Sequence, residues 1–196
     1  MPDAQFEIRP VTPDRWDDMV RLFGRSGGYA NCWCTWWRQR GADFTRGIEH
    51  HGAGNRALME AIVAGGGEPG LIAYRGEEPI GWISVAPRPE FGRVLRSPVV
   101  RPAPEEAQDR STWAIVCFWM PRRQRGQGVA TALLDAAVAR ARERGAHQLE
   151  AYPIDTAGGR QPPAGIFTGT LGMFLRAGFT EVERRRGDQV IVRRVF

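Results

Sequence analysis

One stretch constrains this chain more than any other: FWMPRRQRGQGVATALLDAAVARARERG, Phe118 to Gly145. An apolar strand, STWAIVCFWM, runs into three arginines and two glycines, which open onto an alanine-rich helix; the strand HQLEAYPI follows. Glycine permits backbone angles and close approaches that other residues forbid, so successive N–H groups of such a turn can point at one anion. A helix starting near Gly128 adds its own unpaired N–H groups and the positive end of its dipole. Strand, glycine turn and helix N-terminus together make a phosphate site. Arg122, Arg123 and Arg125 supply charge of the matching sign, and the expected ligand carries a diphosphate.

The rest of the chain reads as mixed helix and strand. FEIRPVT alternates and predicts a first strand over about Phe6 to Arg9. A helix opens at Thr12 or Pro13 and closes at Gly24, with Trp16, Met19, Val20 and Phe23 at helical spacing on its buried face. SGGYANCWCTWWRQR reads as a loop entering a second short helix, and GNRALMEAIVAGGG as a third helix stopped by Gly65 to Gly67. GLIAYRGEEPIGWISVAPR predicts a hairpin around the charged turn Arg75 to Pro79. Pro87 to Arg110 shows no clean period, and a loop of that length is usually functional or mobile. TAGGRQPPAG is a further loop, IFTGTLGMFLRAGF a short helix ending at Gly178, and TEVERRRGDQVIVRRVF a closing hairpin turning near Gly187. No repeat or linker divides the chain.

At 196 residues the sequence suits one domain, 1–196. A hydrophobic content of 42% with 25% charged residues is ordinary for a globular protein. No run is long enough to span a bilayer, and the N-terminus has acidic residues without an apolar signal core. Three cysteines (Cys32, Cys34, Cys117) argue against a disulfide framework and for a reducing cytoplasm. The net charge of +5 favours an anionic partner.

Three ligand classes compete for the turn. A P-loop needs a Lys after its last glycine, and none follows Gly128. A dinucleotide fingerprint nearly fits Gly126-Gln-Gly128-Val-Ala-Thr131, with Glu150 closing a strand at about the right distance. That motif normally follows the first strand, and Thr131 stands where its third glycine belongs. The third class fits better. Arg125-Gly126-Gln127-Gly128-Val129-Ala130 matches the Gln/Arg-x-x-Gly-x-Gly/Ala signature of the GNAT acyltransferase superfamily. The chain also resembles that family in the apolar strand before the motif, in the TALLDAAVARARERG helix and HQLEAY strand after it, and in RAGFTEVERR. FEIRPVTPDRWDDMVRLF resembles the family's first strand and helix, and GLIAYRGEEPIGWISV its second and third strands.

The resemblance implies an α/β (α+β) GNAT fold: a mixed, mostly antiparallel central sheet of six or seven strands, flanked by helices and splayed at strands four and five. It implies acetyl-CoA as co-substrate, with the pyrophosphate held by backbone N–H groups of Gln127, Gly128, Val129, Ala130 and Thr131 beside Arg125 and Gly126. The pantetheine arm would pair with the backbone of Phe118, Trp119 and Met120, where an N–H can steady a developing oxyanion. Acetyl would pass directly to an amine of a small molecule or protein, after a base or water chain deprotonates the ammonium. Glu150 and Tyr152, alternating onto one face near the splay, and Asp155 in the following loop are the catalytic candidates; Glu90 is a further carboxylate near strand three. The family's frequent tyrosine, four residues before the glycine of Gly178-Phe179, is here Phe174, which cannot donate a proton and reads as core. Phe167 stands where the family often has asparagine.

Trp33, Trp36 and Trp37 fall at i, i+3 and i+4, one helical face. Packing on the sheet explains them, and so does a place in the acceptor pocket. Cys32-x-Cys34 lacks zinc spacing, so no metal is expected. The expected partners are acetyl-CoA and an amine, with no membrane and no nucleic acid; a homodimer stays open. A catalytically silent acyl-CoA-binding module, a DNA-binding protein and a dinucleotide enzyme remain the alternatives.

Overall fold

The alternating strands of the sequence join into one seven-stranded sheet, ordered β1-β2-β3-β4-β5-β7-β6, in a computed structural model that describes residues 6–159, 162 and 165–196. The strands are β1 (Glu7–Pro10), β2 (Gly70–Arg75), β3 (Glu78–Pro87), β4 (Thr112–Trp119), β5 (Gln148–Ala151), β6 (Thr180–Arg186) and β7 (Gln189–Val195). All neighbours are antiparallel except β4 and β5, which run parallel. Parallel strands need a crossover, and α4 (Val129–Glu143) provides it. The mixed, mostly antiparallel sheet with flanking helices is the architecture expected from the sequence. The two-residue turn Gly76-Glu77 closes the β2–β3 hairpin, with Arg75 opposite Glu78.

Helices cover both faces. On one, α4 buries Val129, Leu133, Leu134, Ala137, Val138 and Ala141, a stripe at helical spacing. It packs with α5 (Leu171–Arg176) over Ile83, Val85, Ile115 and Phe118. Gly81 in β3 makes the close approach feasible: a Cβ there would lie 2.7 Å from Val129 Cγ1. On the opposite face α1 (Trp16–Phe23) and α3 (Glu49–Ala64) cover Ile72, Tyr74 and Trp82. Beside them Trp37, Phe91, Val94 and Val100 pack on Val116, Tyr152 and Ile191.

Two expectations change. Residues 27–39 hold no helix: they form successive turns, with Ala30, Asn31, Trp33 and Cys34 at positive φ. Left-handed residues cannot continue a right-handed helix, so Trp33, Trp36 and Trp37 do not share a helical face; the short helix, α2 (Gly41–Gly47), comes later. Fully buried Asn55 holds this segment by donating to the Asn31 carbonyl and accepting from Gln39. The stretch Pro87–Arg110, read as a loop, is anchored through buried Arg88, Phe91, Val94 and Val100 and contains three short 3-10 turns. Of the loop TAGGRQPPAG, residues 160, 161, 163 and 164 lie outside the described residues, as does Met1–Gln5 at the N-terminus.

Candidate functional site

The glycine turn bridges β4 and α4. Gly126 and Gly128 have φ of 74° and 84°, and a Cβ at either would meet nothing closer than Phe6 at 3.9 Å. Backbone angle, not crowding, is what demands glycine there. Ala132 donates to the Gly128 carbonyl at 3.0 Å, which leaves the N–H groups of Val129, Ala130 and Thr131 without helical acceptors. A diphosphate suits these donors and the dipole behind them. The sheet braces the turn. Arg75 donates to Gln124 at 3.1 Å and to Gln127 at 2.7 Å, and Arg123 pairs with Glu78. Arg122 and Arg125 make no side-chain hydrogen bond or ion pair among the described residues, so both charges are available to an anion. The residues that hold the turn, Arg75 and Glu78, carried no sequence signal beyond their place beside a hairpin turn.

The splay begins where β4 outruns its neighbour. Pairing of β4 with β5 covers Thr112 to Ile115 and stops at Ala151. A register shift between Ser84 and Val85 marks the other side of the same stretch. Beyond it the Phe118 N–H donates to the Phe167 carbonyl at 2.6 Å, so the chain itself fills the gap at the amide that family resemblance assigns to the acyl group. Thr168 Oγ1, next in sequence, is buried without a partner among the described residues. Phe174 is fully buried against Phe118 and Phe179, a core residue. Trp119 packs edge-on to Phe23, and Met120 lies at the rim of the α4-side core.

Glu150 and Tyr152 come together, but inside the protein. The Tyr152 hydroxyl donates to Glu150 Oε1 at 2.6 Å. Arg193 and Arg88 donate to Glu150 Oε2 at 2.7 and 3.4 Å. Glu150 is 1% exposed, and Tyr152 and Arg88 are fully buried. Burial, then the Glu150 charge, pushes the Tyr152 phenol well above its ordinary range. Asp155 is elsewhere: its carboxylate accepts from the Ala157 N–H at 2.9 Å and from Arg184 at 2.8 Å and is partly open to solvent. The Ala157 N–H, then Arg184, hold this carboxyl below its usual range. Glu90 binds Arg38 and Arg110.

The three tryptophans separate. Trp33 packs against Trp16 and Phe23 and borders an open groove of about 820 Å3 between α1 and α3, with Arg25, His50, His51 and Arg56 along its sides. Trp37 lies by Tyr152 and Phe167, close to the splay. Trp36 is partly exposed, between Phe44 and the Arg93 guanidinium.

Residues 33–158 match the sequence model of the acetyltransferase (GNAT) family. No curated protein matches the chain. Solved structures share its fold at low identity. An N-acetyltransferase from Staphylococcus aureus Mu50 is 14% identical at a TM-score of 0.56, covering 98% of this chain and 99% of that one. The putative acetyltransferase yncA from Salmonella typhimurium, solved with acetyl-CoA, is 17% identical at 0.54, covering 98% and 94%. The paia N-acetyltransferase from Thermoplasma acidophilum, in complex with coenzyme A, is 13% identical at 0.53, covering 97% and 99%. Among the described residues no helix is long and apolar enough to cross a membrane.

Proposed function

The chain belongs to the GNAT acetyltransferase family, and from that premise we propose that it moves an acetyl group from acetyl-CoA directly to an amine. The observation that carries this reading is the turn before α4, where, among the described residues, the N–H groups of Val129, Ala130 and Thr131 and the guanidiniums of Arg122 and Arg125 have no partner. Acetyl-CoA would supply an activated thioester. Backbone N–H groups of Gly126, Gln127, Gly128, Val129, Ala130 and Thr131 would hold its pyrophosphate, with Arg125 beside them. The edge of β4 at Phe118, Trp119 and Met120 would align the pantetheine arm. The Phe118 N–H would stabilise charge growing on the carbonyl oxygen, once the Phe167 carbonyl gives it up.

Of the three candidate catalytic groups, Asp155 is the one solvent reaches, so we assign proton removal from the acceptor to it, directly or through water. Held below its usual range, the Asp155 carboxyl stays ionised and is a weak base, so the role asked of it is to orient the ammonium or a water that carries the proton to solvent. Tyr152 and Glu150 act beneath the surface as positioning groups for the splay wall that includes Trp37. Trp33, Trp36 and Trp37 border the acceptor side of the sheet. Calorimetric titration with acetyl-CoA, with NADH as control, tests the reading. Binding is expected in the wild type and lost in a folded Gly128→Glu protein, with turnover on an amine panel separating a transferase from a silent acyl-CoA-binding module. No acetyl-CoA binding, or preference for NADH, overturns it.

A further inference from the structure

The acyl-CoA reading leaves the groove between α1 and α3 unused, and small side chains make that groove. Val20 and Gly24 face it from one side, Ala53 and Ala57 from the other. Each pair is four residues apart and so faces the same way. With nothing larger at those positions, about 820 Å3 stays open over Trp33. The walls are cationic. Two guanidiniums, Arg25 and Arg56, and two imidazoles, His50 and His51, line the groove against a single carboxylate, Glu60. Among the described residues, Arg25, His50, His51 and Glu60 make no side-chain hydrogen bond or ion pair. Arg56 makes only a ring contact, 5.6 Å from the Trp33 centroid, which keeps its charge over the groove floor. Arg21 of α1 and Arg46 of α2 behave otherwise: each pairs with an aspartate three residues away.

The histidines are held in place against their backbone preference. His50, His51 and Gly52 have φ of 49°, 61° and 79° in succession, a left-handed run that only glycine adopts freely. Gly52 tucks the kink in: a Cβ there would lie 2.8 Å from Asn31 Cβ, and the Asn31 carbonyl is itself held by buried Asn55. Strain of this kind persists only where the surroundings fix it, and it gathers at ligand clamps. The groove also lies close to the place of the thioester. Trp33 touches Phe23 and Phe23 touches Trp119, with ring centroids 5.6 and 5.4 Å apart. Trp119 follows Phe118, whose amide the acetyl group would use. Groove floor and acyl site are thus two ring contacts apart, which an extended peptide covers in about three to four residues. Gly24 lines the groove and Gly28 backs onto Trp119, so little side chain stands between the two places.

We propose that the acceptor amine is the amino terminus of a peptide whose acidic residues, about three to four positions further on, lie in this groove against Arg25, Arg56, His50 and His51. The proposal rests on the acyltransferase reading and names the acceptor for it. Carboxylates answer unpaired guanidiniums with charge-assisted hydrogen bonds. A small amine that carries its own acid is too short to fill the groove and reach Phe118 together. A groove open along its length suits a peptide laid into it. A nucleic acid would bring a continuous run of phosphates past Glu60, whereas a peptide can set a neutral residue there. In the reaction the peptide nitrogen forms the new amide bond and the thioester C–S bond breaks. The proton that the nitrogen gives up balances the thiolate, which leaves as the coenzyme A thiol.

The test reads binding before turnover. A peptide with a free amino terminus, glutamates at its fourth and fifth positions and a fluorophore at its far end is titrated into the full chain saturated with coenzyme A. Fluorescence anisotropy compares it with the same peptide carrying glutamines. The glutamate peptide is expected to bind at least tenfold more tightly and to be acetylated with the higher kcat/KM. Arg25→Glu and Arg56→Glu, both at exposed positions, should each abolish that preference while acetyl-CoA binding by calorimetry stays as in the wild type, which shows the variants folded. Four results each overturn the proposal: equal affinity for the two peptides, a preference that survives both variants, tighter binding that brings no faster acetylation, or displacement of the peptide by a single-stranded oligonucleotide more readily than by unlabelled peptide. Failure of the transferase reading looks different, because there acetyl-CoA itself does not bind; a lost glutamate preference with acetyl-CoA binding intact is a failure of the groove assignment alone.

Discussion

Glu150 shows how burial changes what a residue can do. In the sequence it is a carboxylate near a splay, a candidate base. In the structure it is the acceptor for Tyr152, Arg88 and Arg193. Arg88 is fully buried and otherwise has only the Glu106 carbonyl and, at 3.8 Å, the Glu106 carboxylate, so replacing Glu150 with Gln would remove its one buried counter-charge. We expect Glu150→Gln to lower unfolding stability by about 3–5 kcal/mol, as removal of one partner from a buried pair does. Urea unfolding measures it, and a loss under 1 kcal/mol would mean that water already reaches Arg88. The pairing was hidden from the sequence because the partners lie 62 and 43 residues away. A lone sequence reports local spacing, and nothing local about Arg88 or Arg193 singles them out. The glycines at 126 and 128 were legible for the opposite reason: their meaning is local, a backbone angle and a helix start.

At the scale of elements, the hairpins and α4 were readable because each rests on its own period and turn residues. The 27–39 segment was not. Its tryptophan spacing mimics a helix, but Trp33 and Cys34 are left-handed and long-range packing decides the path. Stretches whose shape is imposed by Asn55 and by the sheet carry no periodic trace of it. A second element-scale effect joins β3 to the turn. Gly81 lets Val129, the first residue of α4, sit against the sheet. Gly81→Ala should force that helix start outward, cost about 1–3 kcal/mol of stability by overpacking, and weaken acetyl-CoA binding. A thermal melt beside a calorimetric titration reads both, and unchanged values in the two would separate α4 placement from the anion site.

For the molecule as a whole, the sheet order and the two covered faces follow from an element order that the sequence displays. The net charge of +5 is less informative than its distribution. Many arginines are consumed by ion pairs, such as Arg140 and Arg144 with Glu68 or Arg184 with Asp155 and Glu181. Among the described residues Arg122 and Arg125 are not. An exposed pair of charges beside a diphosphate is screened by salt, so the dissociation constant for acetyl-CoA should rise several-fold between low and high potassium chloride. Binding insensitive to salt would confine recognition to the backbone of the turn.

The hydrogen bond from Phe118 to Phe167 closes the free sheet on itself. For any ligand whose carbonyl is to take that amide, docking is therefore a swap: one oxygen departs as another arrives, and the tally of hydrogen bonds stays level. Such an amide adds little tightness. What it would add is a condition on timing, because such a ligand could take the amide only after the Phe167 carbonyl has moved off it.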